Sequence, residues 1–323
     1  MMASTAPTLF GWPAEARFDA PATGALCVLG VPSDRGNAIA RGAAGGPGAI
    51  RRASIAPHAP CGAVACDDAR DCGDLDVHAA ADASAVLAAL EAAVARIVGR
   101  GGCPLLLGGD HSLTFAPVSV LARARDLCLV WFDAHTDFSP WPGRGAHDHK
   151  QVLRRISGLP GVRRVVQIGY RGITIGDERN LGDDAVVVTT ARARGLDADG
   201  LLALLPADLP CYLSIDIDSI DPLWAPGTAA PVPDGLLPDT VAAMLRTIVR
   251  HRRVIGTDVV EVNPALDVRD RTSRIAADLA GEIAAHWHHQ RALRTDDTAA
   301  APGLYQDRVS AHPPDGAIPF SAP

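Results

Sequence analysis

"DLCLVWFDAHTDF", residues 126–138, opens as an apolar run and closes on metal-capable side chains. The run "DLCLVWFD" (126–133) has the length and apolar continuity of a buried strand. Asp133, His135 and Asp137 then follow at every second position. Alternate residues of a strand share one face, so the spacing predicts that the three converge at the strand's carboxyl end. Two acids and an imidazole placed there are either a costly accident or a metal site.

The same arrangement recurs along the chain. Apolar β-rich runs occupy residues 25–32, 103–109, 126–133, 164–170, 185–190, 211–218 and 253–262, and helical periodicity marks 83–100, 198–207, 237–253 and 272–291. Strands alternating with helices predict a doubly wound, mostly parallel sheet with helices on both faces, in which ligands bind beyond the carboxyl ends of the strands. The polar signatures fall at such ends: "GGDHS" (108–112), "DAHTD" (133–137), "DIDSIDP" (216–222) and "EVNP" (261–264). No linker or repeat interrupts them, which makes residues 1–294 one catalytic domain, followed by an Ala- and Pro-rich tail over 295–323.

Composition narrows the function. A net charge of -7 and the lack of any run of five Lys or Arg argue against nucleic-acid binding and suit a cationic small molecule better. The seven cysteines are odd in number and form no CxxC pair, as expected for thiols in a reducing compartment. No eighteen apolar residues run together and no signal-like segment opens the chain, so the expectation is a cytoplasmic protein that does not span a membrane.

The acids Asp133, Asp137, Asp216 and Asp218, with His111 and His135, are too much charge to bury without compensation. Two divalent cations would balance four carboxylates. An oxygen-rich donor set with a minority of imidazole and no thiolate favours a hard or borderline ion such as manganese. Two such ions activate water for hydrolysis. Asp110 and Asp221 read as turn or supporting residues, and the "HWHHQR" stretch (286–291) as a solvated helix face.

"GGDHSLT" (108–114), "WFDAHTD" (131–137), "SIDIDSIDPLWAPGT" (214–228) and "EVNPALD" (261–267) stand in an order and at separations that resemble the ureohydrolase family of arginases, agmatinases and formimidoylglutamases. The resemblance runs from about residue 25 to 290 and implies a three-layer α/β/α arginase-like fold holding two Mn2+ per subunit. By matching positions, one ion would take His111, Asp133, Asp137 and Asp216, and the other Asp133, His135, Asp216 and Asp218. Asp137 would hydrogen-bond the attacking water-derived nucleophile, and Glu261 would pair with the cationic group of the substrate. A carboxylate at the start of a helix is the alternative role for Glu261. His149 or His147, in "GAHDHKQVLRRI" (145–156), would protonate the leaving amine, with His149 favoured by the apolar and Arg residues that follow it. A homotrimer or homohexamer is also implied.

The substrate elements point in several directions. "GTAAP" (227–231) replaces the "GTGTP" of many members, and the "HG" that often carries the shuttle histidine is absent. "IGYRG" (168–172) resembles agmatinases and guanidino-acid hydrolases, whereas "APGTAAP" (225–231) and "EVNPALDVRDRTSRIAA" (261–277) resemble formimidoylglutamases. Three functions follow: an amidinohydrolase releasing urea from agmatine, a guanidino acid or an arginine derivative; a formimidoylglutamase with Arg144 or Arg171 clamping an acidic substrate; or a non-catalytic metal-binding homologue.

Overall fold

Eight strands form one sheet in the order β2-β1-β3-β8-β7-β4-β5-β6, with every neighbouring pair parallel. In chain order they are β1 (Leu26–Gly30), β2 (Ala69–Asp74), β3 (Cys103–Leu107), β4 (Leu127–Phe132), β5 (Val162–Tyr170), β6 (Ala185–Thr189), β7 (Cys211–Asp216) and β8 (Val254–Val260). The computed structural model describes residues 7–14, 24–37, 40–56, 66–139, 147–172, 181 and 184–294. The tail over 295–323 lies outside the described residues.

Every residue of β3, β4, β7 and β8 is buried, because helices cover both faces of the sheet. Side chains along β4 alternate between two cores. Leu127, Leu129 and Trp131 pack with Val118 and Leu121 of α3 (Phe115–Ala124) and with Val152, Leu153 and Ile156 of α4 (Val152–Ser157). Cys128, Val130 and Phe132 face the opposite way, into a core shared with Ala193 of α5 (Thr190–Ala193), Leu201 of α6 (Ala198–Leu204), α7 (Pro238–His251) and α8 (Arg271–Ala285). With α2 (Ala83–Gly99) beside α3, and α1 (Gly46–Ser54) beside α8, the result is the expected three-layer α/β/α arrangement.

Chain order and sheet order differ at the point that matters. β7 and β8 enter between β3 and β4, so β3, β8, β7 and β4 stand side by side at the centre. Their carboxyl ends carry "GGDHS", Glu261, "DIDS" and "DAHTD" respectively. Four motifs spread over about half the chain thereby open onto one place.

Three elements depart from expectation. β2, "ARDCGD", is an edge strand with too little apolar content to be read as one; its Asp71 is buried because Arg51 pairs with it at 2.9 Å and the Leu9 N–H donates to it at 2.7 Å. α1 lies within what reads as a glycine-rich loop, started by Gly46 and Pro47. The helix expected over 272–291 is two: α8 ends at Ala285, and α9 (His289–Arg294) begins after Trp287 has turned into the core. The six described cysteines carry thiols, four of them buried. Among the described residues no helix is long and apolar enough to cross a membrane.

Candidate metal centre

Strand alternation does not bring Asp133, His135 and Asp137 together. β4 stops at Phe132, and residues 133–139 are irregular. The Ala134 N–H donates to Asp218 Oδ1 at 3.0 Å, while the Ala134 carbonyl accepts from Arg171 and Gly172, so the segment bonds to loops rather than continuing the ladder. At Asp137 the backbone takes a φ of 45°, a left-handed turn that aspartate tolerates better than most residues. Convergence thus comes from a turn, which a period-two reading cannot anticipate.

His111 Nδ1 is the focus of the first group. It lies 3.3 Å from Asp133 Oδ2, 3.3 Å from Asp137 Oδ2 and 3.0 Å from Asp216 Oδ2. His135 Nδ1 centres the second, 2.9 Å from Asp218 Oδ2 and 3.5 Å from Asp133 Oδ1. The potential donor atoms of His111, Asp133 and Asp216 all lie within 4.8 Å of one another, as do those of Asp133, His135 and Asp218. Asp133 belongs to both groups, and Asp216 faces His111. Asp216 is the last residue of β7, and it caps the following turn by accepting the Asp218 N–H at 2.8 Å, which brings Asp218 alongside.

Residues behind these groups fix their orientation. The Ser214 hydroxyl donates to Asp258 Oδ1 at 2.8 Å, and the Tyr212 hydroxyl donates to Asp258 Oδ2 at 2.7 Å. Ser214 therefore accepts from His111 Nε2, 3.0 Å away, which puts the imidazole proton on Nε2 and turns a bare Nδ1 toward the three carboxylates. The His111 ring stacks on Trp131 at 3.9 Å, and Trp131 Nε1 donates to Asp133 Oδ2 at 2.8 Å. Gly109, just before Asp110, allows close packing, since a Cβ there would lie 1.7 Å from the Ser33 carbonyl oxygen. Asp110 accepts the N–H groups of Ser112 and Gly36, and Asp221 those of Leu223 and Gly235, which makes both turn residues as expected.

This constellation fits cations better than protons. His111 Nδ1 is buried and makes no hydrogen bond, although three carboxylate oxygens surround it. Burial, with Asp218 and Asp133 nearby, pushes the Asp216 carboxyl well above its ordinary range. Burial and Asp133 raise Asp218. Burial works against a charged His135, but Asp218 and Asp133 push its pKa up to about 12. Burial likewise opposes ionised Asp133, which the imidazoles of His111 and His135 beside it nonetheless hold below the carboxylate range. Groups competing in this way for a few protons are those a divalent ion would satisfy.

Glu261 follows β8 with a φ of 63°, a rare backbone state for a non-glycine residue and one that recurs at functional sites. No helix starts at "EVNP", since α8 begins only at Arg271; instead Glu261 Oε1 accepts the His111 N–H at 2.9 Å at the start of a short 3-10 turn (His111–Thr114). Its Oε2 is buried without a hydrogen-bond partner, beside a cleft of about 190 Å3. Burial first, then Asp216 and Asp110, raises the Glu261 carboxyl well above its usual range.

The two candidate shuttles separate. His149 lines the cleft, with its Nδ1 3.1 Å from the Gly36 carbonyl and its backbone N–H donating to the same oxygen. That tether leaves Nε2 as the nitrogen available to a ligand. His147 is not among the lining residues, and burial beside Arg155 lowers its pKa.

Arg171 is no carboxylate clamp. Its guanidinium donates to the carbonyls of Gly169, Asp218, Ser219, Ile220, Val232 and Pro233 and so ties three loops together. Arg144 lies outside the described residues. Sequence reading missed the Asp258, Ser214 and Tyr212 support, although an acid inside the apolar strand "VIGTDVV" was its signal.

An arginase-family model matches residues 25–286. An agmatinase from Cronobacter sakazakii is 35% identical over 223 residues, 66% of this chain and 69% of that protein. Proclavaminate amidinohydrolase from Streptomyces clavuligerus is 32% identical over 284 residues, 84% of this chain and 90% of that one. The solved structure of the Streptomyces clavuligerus proclavaminate amidino hydrolase superposes with a TM-score of 0.79 at 29% identity, covering 89% of this chain and 98% of its own. With fold, motif order and site geometry in agreement, the chain belongs to the arginase family.

Proposed function

We propose that this protein hydrolyses a guanidino compound to urea and an amine, with two divalent cations, manganese by donor chemistry, held by His111, Asp133, Asp137, Asp216 and by Asp133, His135, Asp216, Asp218. That it is a hydrolase of amidine C–N bonds follows from family membership and from agmatinase and amidinohydrolase relatives. The observation that carries the fuller reading is the pair of donor groups sharing Asp133, placed beside the unpartnered Oε2 of Glu261.

Bound there, the cations would compensate the acids and lower the pKa of a water. Glu261 Oε2 would pair with the guanidinium and present its central carbon to the cleft floor. Asp137 would hold the nucleophile's hydrogen. His149 Nε2 would give a proton to the departing amine, while Gly36 keeps the ring from turning away. The formimidoylglutamase alternative loses one proposed clamp, since Arg171 is committed to carbonyls. A cytoplasmic setting agrees with the thiols, and a homotrimer or homohexamer is the assembly that the family resemblance implies.

The test is a urea assay on manganese-loaded protein with agmatine, guanidino acids and arginine, and formamide followed in parallel from formimidoylglutamate. Urea from one guanidino compound, lost in Asp133→Ala and Asp216→Ala, supports the reading. Formamide alone would replace it.

A further inference from the structure

Lys150 stands directly after His149 and lines the same cleft. Its backbone is fixed at both ends of the peptide unit: its N–H donates to Asp148 Oδ1 at 2.9 Å, and its carbonyl accepts from Ser139 at 2.8 Å. The side chain is half-buried, and among the described residues its ammonium has neither an ion pair nor a hydrogen bond. A cation lining a ligand cleft without a counter-charge is poised for an anionic ligand group.

Charge balance points the same way. The cleft is lined by Asp137, Asp216, Asp218 and Glu261, and otherwise by neutral side chains that include Asn37, Ser139, Thr228 and Ala230, together with His135, His149 and Lys150. These three aspartates, with Asp133 behind them, match two divalent ions, and Glu261 matches one guanidinium. Lys150 then remains as one unmatched positive charge in the cleft lining. An ammonium there would meet Lys150, and among the described lining residues no carboxylate beyond those assigned to the ions and the guanidinium is left to offset it. A carboxylate would meet a flexible ammonium with polar neighbours in Asn37 and Ser139.

We propose that Lys150 sets the charge of the substrate, so that this protein takes a guanidino acid, whose carboxylate pairs with the Lys150 ammonium, in preference to a guanidino amine. The inference rests on the amidinohydrolase reading above. The reaction consumes one water and yields urea and an amino acid; Lys150 forms and breaks no bond. It acts at the end of the substrate remote from the scissile C–N bond, so its contribution is to KM more than to kcat.

The test compares 4-guanidinobutyrate with agmatine, which differ chiefly in carboxylate against ammonium, within a panel of guanidino acids of other chain lengths. Manganese-loaded wild type, Lys150→Met and Lys150→Glu are each assayed for urea. The wild type is expected to favour guanidino acids. Lys150→Met should raise KM for the preferred acid about tenfold with kcat little changed, the scale of one charge-assisted hydrogen bond. Lys150→Glu should move the preference toward agmatine. Calorimetric binding of 4-aminobutyrate, a product that needs no turnover, should weaken by a similar factor in Lys150→Met. Agmatine preferred by the wild type, or an acid-to-amine ratio that neither substitution moves, overturns the inference and leaves the amidinohydrolase standing. Urea from no guanidino compound would overturn both.

Discussion

His111 Nε2 lies 3.0 Å from the Ser214 hydroxyl, and that contact decides which imidazole nitrogen faces the carboxylates. Ser214 can accept there because its own proton goes to Asp258. Ser214→Ala would free the ring to rotate or change tautomer. We expect metal affinity to fall roughly 10–100-fold, as for other groups that orient a ligating histidine. Titration with manganese followed by calorimetry checks this, and an unchanged affinity would mean that stacking on Trp131 alone orients the ring.

Glu261→Gln separates binding from stability. Glutamine keeps an oxygen to accept the His111 N–H but removes a buried charge with an unpartnered oxygen. The melting temperature should therefore hold or rise. Turnover of a guanidinium substrate should fall about a hundredfold, the order of about 2–3 kcal/mol for a lost charge-assisted contact. Loss of stability together with activity would assign Glu261 to the fold instead.

Metal removal should make stability fall as pH rises. In the metal-free protein Asp216, Asp218 and Glu261 have folded pKa values raised above their ordinary ones, and so does His135, at about 12. A folded state that binds more protons than the unfolded chain is stabilised below the unfolded pKa and loses that stability as pH climbs through the folded one. The window opens near pH 4 for the acids and continues above 6.5 for His135. Asp133, held low, acts oppositely only below that window. Manganese binds the deprotonated ligands, so the gain in melting temperature on adding it should grow between about pH 5 and 8. A gain that shrinks over that range would argue against these residues as ligands.

Much of this was legible in the sequence because the buried strands are continuous apolar runs and the motifs sit at their ends. Three things were not. The neighbourhood of β3, β8, β7 and β4 depends on strand order, which no local pattern carries. The left-handed turn at Asp137 depends on loop contacts such as the Asp137 carbonyl accepting the Leu153 N–H. Arg171 reads as a candidate carboxylate clamp until the carbonyls of residues 218–220 and 232–233 are brought around it. Each depends on contacts between segments far apart in the chain.

Arg171→Lys tests that last point. A lysine ammonium has three donors and cannot reproduce the guanidinium fork, so several carbonyls near Asp218 would lose their partner. Stability should drop by about 2–3 kcal/mol, the scale of buried acceptors left unmet, as read from denaturant unfolding. The effect on KM should be the same for acidic and basic substrates. A KM rise confined to acids would restore Arg171 as a substrate clamp.

His149 and His147 are two residues apart, yet only His149 lines the cleft. Asparagine at position 149 can still donate to the Gly36 carbonyl, so His149→Asn keeps the local tether while removing the titratable nitrogen. General acid catalysis contributes roughly 10²–10⁴-fold, and kcat for a guanidino substrate should fall within that range. The loss should be smaller for a synthetic substrate whose leaving amine is a weaker base, since that amine departs with less need of a proton. His147→Asn removes a ring whose buried Nδ1 has no hydrogen-bond partner and which lies beside Arg155. It should change stability more than kcat. Steady-state rates of both variants on both leaving groups check the assignment, and a leaving-group-dependent loss in His147→Asn instead would reverse the roles of the two histidines.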